Sequence, residues 1–164
     1  MNAEYSIPAS AKIGHIHLKV ADLERSLNFY CDLLGFKCLS KIGDDAAFIS
    51  AGDYHHHIGL NTWYSKNSEP PSNRSTGLFH FALLYPTRKD LAQIYKRLLD
   101  HEYPLTGVAD HGVSEAIYLS DPDHNGLELY TDRPRELWPK DNNGNVKMFT
   151  QPLDIRNLLS ELDD

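Results

Sequence analysis

The order of elements in the first half of the chain begins again in the second. Residues 13–20 alternate as a strand, with Ile16, Leu18 and Val20 on one face and His15, His17 and Lys19 on the other. Asp22 is placed to cap a helix whose apolar stripe is Leu23, Leu27, Tyr30 and Leu34, with Gly35 as its stop. Strand-like runs follow at 36–42, 46–50 and 55–63, parted by Gly43-Asp44-Asp45 and Ala51-Gly52-Asp53. After a polar stretch with Pro70-Pro71 the pattern restarts. Residues 78–85 read as a strand carrying His80, which stands 65 positions after His15. Thr87 and Asp90 form a capping-box-like pair ahead of the stripe Leu91, Ile94, Tyr95 and Leu98. Runs at 105–109, 116–119 and 127–131 complete the second copy. The order βαβββ thus occurs twice, as an internal repeat.

One copy has too few strands to bury both faces of its sheet, so two copies are expected to associate. The expected fold is α+β, two βαβββ modules pairing into a cup. Module 1 is set at 12–64, a linker at 65–76 and module 2 at 77–133, together one domain over 12–133. An N-terminal arm, 1–11, precedes it. The tail, 134–164, is expected to be solvated around Arg133-Pro134-Arg135-Glu136. It is also expected to end in an amphipathic packing helix with Asp154 as cap and Ile155, Leu158, Leu159 and Leu162 as stripe.

Totals exclude several classes. A net charge of -7 with scattered basic residues speaks against a nucleic-acid partner. No apolar run approaches the roughly 20 residues that span a bilayer, and the first residues lack the apolar core of a secretory signal. Cys31 and Cys38 have no CxxC spacing and read as reduced thiols of a cytoplasmic protein.

Nine histidines in 164 residues make their placement informative. The inner side of such a cup carries His15, His17, Lys19, His80, Glu128 and Tyr130. Buried polar groups need partners, and buried charges need opposite charge or a metal. A single strand histidine is ordinarily a hydrogen-bonded or surface residue. Two at matching repeat positions, with a carboxylate on the last strand, point toward a metal. Two imidazoles and one carboxylate leave coordination positions open, the ligand set of non-heme Fe(II) oxygen chemistry. On the residues alone, the metal site and a hydrogen-bonded polar wall stand as alternatives.

Three motifs carry a family resemblance: Gly14-His15-Ile16-His17-Leu18-Lys19-Val20 with the helix from Asp22 to Tyr30; Phe79-His80-Phe81-Ala82-Leu83; and the stretch from Asp110 to Tyr130, which ends Gly126-Leu127-Glu128-Leu129-Tyr130. They resemble the vicinal oxygen chelate superfamily of glyoxalases, bleomycin-resistance proteins and type I extradiol dioxygenases. The resemblance implies paired βαβββ modules around a metal-bearing cup. It also implies His15, His80 and Glu128 as metal ligands, with Fe(II) the expected metal and Mn(II) or another divalent ion the alternative.

Within the superfamily the chain is most similar to extradiol (catechol 2,3-) dioxygenases. Glyoxalases add a fourth-strand Glu ligand, and here that position aligns with Gly59, which cannot ligate. The dioxygenase likeness implies catalytic roles for His111, Tyr118 and one of His56 and His57. It implies supporting or pocket roles for His17, Tyr130 and Asn61, with Tyr130 orienting Glu128. The activity implied is ring cleavage of a catechol-like small aromatic with O2, by a chain that could pair as a homodimer. Trp63, Tyr64 and Phe81 are candidate wall aromatics. The alternatives are a glyoxalase-like lyase or isomerase, and a small-molecule binding or resistance protein.

Overall fold

The computed structural model describes residues 5–72 and 74–163, which divide into two compact units between Ser68 and Glu69. Each unit holds one four-stranded mixed sheet.

In the first unit β1 (Ile16–Lys19) lies parallel to β4 (Ile58–Asn61), followed by β3 (Ala46–Ser50) and β2 (Lys37–Ile42), in the order β1-β4-β3-β2. Between β1 and β2 runs α1 (Leu23–Leu27), capped by the Asp22 carboxylate, which accepts from the Arg25 amide at 2.9 Å. The helix widens into a π-turn over Asn28–Leu33. Its buried face carries Leu23, Phe29, Tyr30 and Leu33, and the sheet supplies Leu18, Val20, Ile49, Ile58 and Leu60 to the same core. Fully burying each such side chain contributes about 1.5–3 kcal/mol.

The second unit repeats the plan: β5 (Phe81–Leu84), α2 (Arg88–Asp100), β6 (Leu105–Asp110), β7 (Ser114–Ser120) and β8 (Gly126–Asp132), in the order β5-β8-β7-β6. Thr87 and Asp90 make the full capping box at the start of α2. The stripe Leu91, Ile94, Tyr95 and Leu98 is buried, and meets Ile117, Leu119, Leu127 and Leu129 of the sheet core.

Two expectations are corrected. The fourth strand does not include the histidine run: β4 begins at Ile58, and His55, His56 and His57 form the turn that enters it. His15 and His80 likewise stand one residue before their strands. Backbone pairing still fixes this turn, since the His57 amide donates to the Ile49 carbonyl and the His57 carbonyl accepts from the Ile16 amide. The second correction concerns the start of the tail. Arg133 is half-buried, with one guanidinium nitrogen 2.8 Å from both Asp110 Oδ2 and Glu115 Oε1. Glu115, 5% exposed, is also held by Arg88. Residues 133–151 fold back along this sheet, where Asp110 and Gln151 exchange two backbone hydrogen bonds. The charged segment reads as solvated in the sequence because its partners, Asp110 and Glu115, lie about 20 residues upstream, outside any local pattern. The last helix, α3 (Ile155–Leu159), is capped by Asp154 as expected and packs on α2 with Leu158 fully buried.

Candidate active site

The two units present two sets of polar side chains. In the second unit, β7 and β8 pair antiparallel with Tyr118 opposite Glu128, so both side chains stand side by side on one face. The Tyr118 hydroxyl donates to Glu128 Oε1 at 3.0 Å and lies 2.7 Å from His111 Nε2. The other Glu128 oxygen, Oε2, is 3.1 Å from His80 Nε2. A continuous chain therefore runs His111–Tyr118–Glu128–His80. It begins at the Phe149 carbonyl, which accepts from His111 Nδ1 at 3.0 Å. Burial, then the Glu128 charge and its hydrogen bond, push the Tyr118 phenol up to about 12. Tyr118 therefore keeps its proton through the neutral range.

His80 owes its place to Gly126. A Cβ on Gly126 would collide with the Phe79 carbonyl and sit 3.1 Å from His80 Cβ. Only glycine lets residues 79–80 lie against β8 and bring the imidazole onto Glu128. Asn125-Gly126 reads in the sequence as a turn former, and the packing demand is invisible there. Beside this chain opens a cavity of about 480 Å³, lined among others by Phe79, His80, His111, Tyr118, His124 and Thr150. Its volume is in the range that holds a small ligand.

In the first unit the imidazoles of His15 and His56 are neighbours, ring centroids 4.5 Å apart, with Phe48 5.1 Å from His56. His57 is turned to a different task. Its Nδ1 lies 2.9 Å from the buried Ser50 hydroxyl and takes a longer bond from the Ala51 amide. Of the two candidates it is therefore His56 that accompanies His15. Desolvation first, then the nearby His15, His55, His17 and His57, lower the pKa of His56 from its ordinary value. The lowered pKa favours the neutral, proton-accepting form of the imidazole.

His17 lies flat over Gly59, its register partner on β4: a Cβ at Gly59 would meet the ring at 2.9 Å. Position 59 therefore has no room for a side chain while His17 keeps this place. Trp63 and Phe48 each stand 5.8 Å from the His17 ring. Asn61 is buried, and its side-chain oxygen caps the following turn by accepting from the Trp63 amide. Tyr130, half-buried, is raised by burial and by Asp132 and Glu128, yet the phenol bonded to Glu128 is that of Tyr118. Tyr64 is almost fully exposed and Phe81 is buried.

Within either unit, among the described residues, no three His, Cys, Asp or Glu side chains converge on one point. His80 and Glu128 nonetheless form a fitting pair of donors. Two ligands each about 2.1 Å from one metal at a right angle stand about 3 Å apart, close to the observed 3.1 Å. No helix among the described residues is long and apolar enough to cross a membrane.

A repeated βαβββ sheet with its histidines at the strand entries and its carboxylate on the last strand defines an α+β protein of the vicinal oxygen chelate class. Comparison with known families agrees: residues 12–129 match the Glyoxalase/Bleomycin resistance protein/Dioxygenase superfamily, and the chain belongs to it. It is 43% identical over 160 residues to a catechol-2,3-dioxygenase of Bacillus subtilis (strain 168), covering 97% of this chain and 55% of that protein. It is 27% identical over 123 residues to the metallothiol transferase FosB of Staphylococcus saprophyticus, covering 73% of this chain and 76% of the transferase. A crystal structure of a glyoxylase/bleomycin resistance protein/dioxygenase domain from Frankia sp. EAN1pec shares the fold. It has a TM-score of 0.62 and 21% identity, covering 77% of this chain and 96% of that one. The chain spans about half the length of the catechol dioxygenase it resembles.

Proposed function

We propose that the protein is a metal-dependent extradiol dioxygenase that cleaves a catechol-like small aromatic with O2. The observation that carries this reading is the hydrogen-bonded chain His111–Tyr118–Glu128–His80 beside a cavity of about 480 Å³. The 43% identity to a catechol-2,3-dioxygenase supports it.

His80 and Glu128 would hold the metal, with His15 of the first unit as the third ligand that the family resemblance implies. Fe(II) is the expected ion, and Mn(II) the alternative for the same nitrogen and oxygen donors. When bound, it supplies Lewis acidity and electron transfer toward O2. The remaining work falls to side chains. Tyr118 holds Glu128 by its Oε1, leaving Oε2 to face His80. His56, whose pKa is lowered, would take the part that the dioxygenase likeness implies for it, accepting the proton that a catechol hydroxyl must lose. His111 and Tyr118 share one hydrogen bond and pass a proton to or from the substrate oxygens. Phe79 and Thr150 line the cavity and limit the ring that enters.

The likeness to a metallothiol transferase supports a second reading, another metal-dependent reaction on the same fold. Gly59, covered by the His17 ring, speaks against a fourth carboxylate ligand of the glyoxalase kind.

The test is untagged, anaerobic purification, elemental analysis, and a catechol panel offered under air. Near-stoichiometric iron with a yellow ring-cleavage product is expected. Metal without product on any catechol moves the reading to the other metal-dependent reactions. No metal after reconstitution with Fe(II) refutes the ligand assignment.

A further inference from the structure

The segment 139–151 lies against His111 from the side opposite Tyr118. Three observations describe how. First, residues 110–111 and 149–151 exchange backbone hydrogen bonds as a short antiparallel pair: Asp110 with Gln151 in both directions at 2.8 and 2.9 Å, and the Phe149 amide to the His111 carbonyl at 3.3 Å. Second, the Phe149 carbonyl stands 3.0 Å from His111 Nδ1, with Thr150 Oγ1 at 3.3 Å. Third, Gly112 adopts φ +78, and a Cβ there would lie 2.6 Å from the Phe149 ring and 2.7 Å from Pro139. The strap therefore packs directly onto the one residue next to His111 that has no side chain. The strap is itself folded: the Lys147 amide donates to the Pro139 carbonyl, and Asp141 closes its tip by accepting from the Asn143 and Asn145 amides.

Donor and acceptor chemistry gives this packing a consequence. A carbonyl only accepts, so the bond to Phe149 requires a proton on His111 Nδ1. Tyr118 has one proton and two neighbours, His111 Nε2 and Glu128 Oε1. If Nε2 is bare, the Tyr118 proton is shared between Nε2 and Glu128 Oε1. If Nε2 is protonated, it donates to the phenol oxygen and Tyr118 is free to donate to Glu128. Both arrangements keep the proton on Nδ1, and they differ only at Nε2. We propose that the strap 139–151 is the positioning element of His111: the Phe149 carbonyl pins the Nδ1 proton and leaves Nε2 as the nitrogen that exchanges a proton with Tyr118. Phe149 and Gly112 are positioning residues in this scheme, since they act through His111. The scheme rests on the reading of His111 as a working residue of the site.

The test separates the two. Full-length, metal-free protein labelled with 15N-histidine reports which nitrogen of His111 is protonated through two-bond 1H–15N correlations. The wild type is expected to show the Nδ1 proton. Phe149→Ala removes the ring that covers Gly112, and Gly112→Ala pushes the ring away. In both, the expected result is loss of the fixed Nδ1 pattern and a mixture of tautomers. The backbone amides of positions 149 and 151 are expected to exchange faster, with the β7–β8 ladder amides unchanged. Phe149→Leu, which keeps an apolar cover, is expected to restore the wild-type pattern. Should Gly112→Ala fail to fold, Phe149→Ala and Phe149→Leu carry the comparison. A wild-type His111 protonated on Nε2 alone overturns the proposal. So does an unchanged Nδ1 pattern in a variant whose strap amides exchange freely. If the tautomer follows the strap while no catechol is cleaved, the positioning stands and the dioxygenase reading falls.

Discussion

His80 Nε2 and Glu128 Oε2 stand 3.1 Å apart although they are 48 positions apart in sequence. The parallel pairing of β5 with β8, Phe81 opposite Leu127, sets the entries of the two strands side by side, with Glu128 one residue further along. The second Glu128 oxygen is meanwhile occupied by Tyr118. Replacing Glu128 by Ala is therefore expected to abolish metal retention while leaving the sheet intact, because Leu127 and Leu129 on the other face carry the packing. Elemental analysis checks this, and a variant with wild-type metal content removes Glu128 from the ligand set.

Tyr118→Phe deletes one hydroxyl and both of its hydrogen bonds. Stability is expected to fall by about 1–3 kcal/mol, since one bond goes to a charged group. Turnover is expected to fall by roughly 10²-fold or more if the hydroxyl takes part in proton transfer. Urea denaturation and steady-state kinetics on the same preparation separate the two effects. Unchanged turnover in a folded variant would falsify its role.

Gly126→Ala drives a methyl into the Phe79 carbonyl and against His80. Overpacking of this kind costs about 1–3 kcal/mol, and here it also moves a proposed ligand. Iron affinity is expected to fall along with the melting temperature. Gly107→Ala is the control, because its nearest neighbour, Tyr118, is 4.0 Å from the added atom. That variant is expected to retain wild-type iron affinity, as measured by competition with a chelator.

His56 has its pKa lowered in the fold by desolvation and by the surrounding histidines. Below the unfolded value of about 6.5, the unfolded chain binds a proton there that the native protein resists. Stability therefore falls as pH drops from about 6.5 toward the lowered folded value, and is fully present above about 6.5. In metal-free protein, His56→Gln is expected to flatten that acid-side slope. Parallel melting curves between pH 7 and 5 measure it. An identical slope in the two proteins would show that other groups govern the window.

Arg133→Ala leaves Asp110 without its guanidinium partner and Glu115 with only Arg88. Removing one member of a half-buried ion network is expected to cost about 1–3 kcal/mol. Strap residues 149–151 are expected to exchange faster than in the wild type, because Asp110 pairs with Gln151 through its backbone. Amide exchange measured residue by residue decides whether the network and the strap are coupled.

The helices, their caps and the alternation of the strands were legible in the chain. Asp22, Thr87–Asp90 and Asp154 cap where the local pattern places them, and Leu127 and Leu129 are buried beside half-buried Glu128 and Tyr130. These features depend on residues within one turn or one strand, so periodicity and capping chemistry suffice to find them. The choice between His56 and His57 did not follow from sequence. A turn precedes β4, so the period-two rule fails there, and the Ser50 hydroxyl decides which ring turns away. The duties of Gly59, Gly112 and Gly126 were equally hidden, because each answers to a neighbour brought in by folding: His17, Phe149 and the Phe79 carbonyl. The tail carries the same lesson. Its charges describe a solvated segment until the sheet supplies Asp110 and Glu115 to Arg133, and the His111 imidazole to the Phe149 carbonyl. Local sequence determined the elements and the donor chemistry of the site. Tertiary packing decided which donors share hydrogen bonds, because those contacts join strands and loops that lie far apart along the chain.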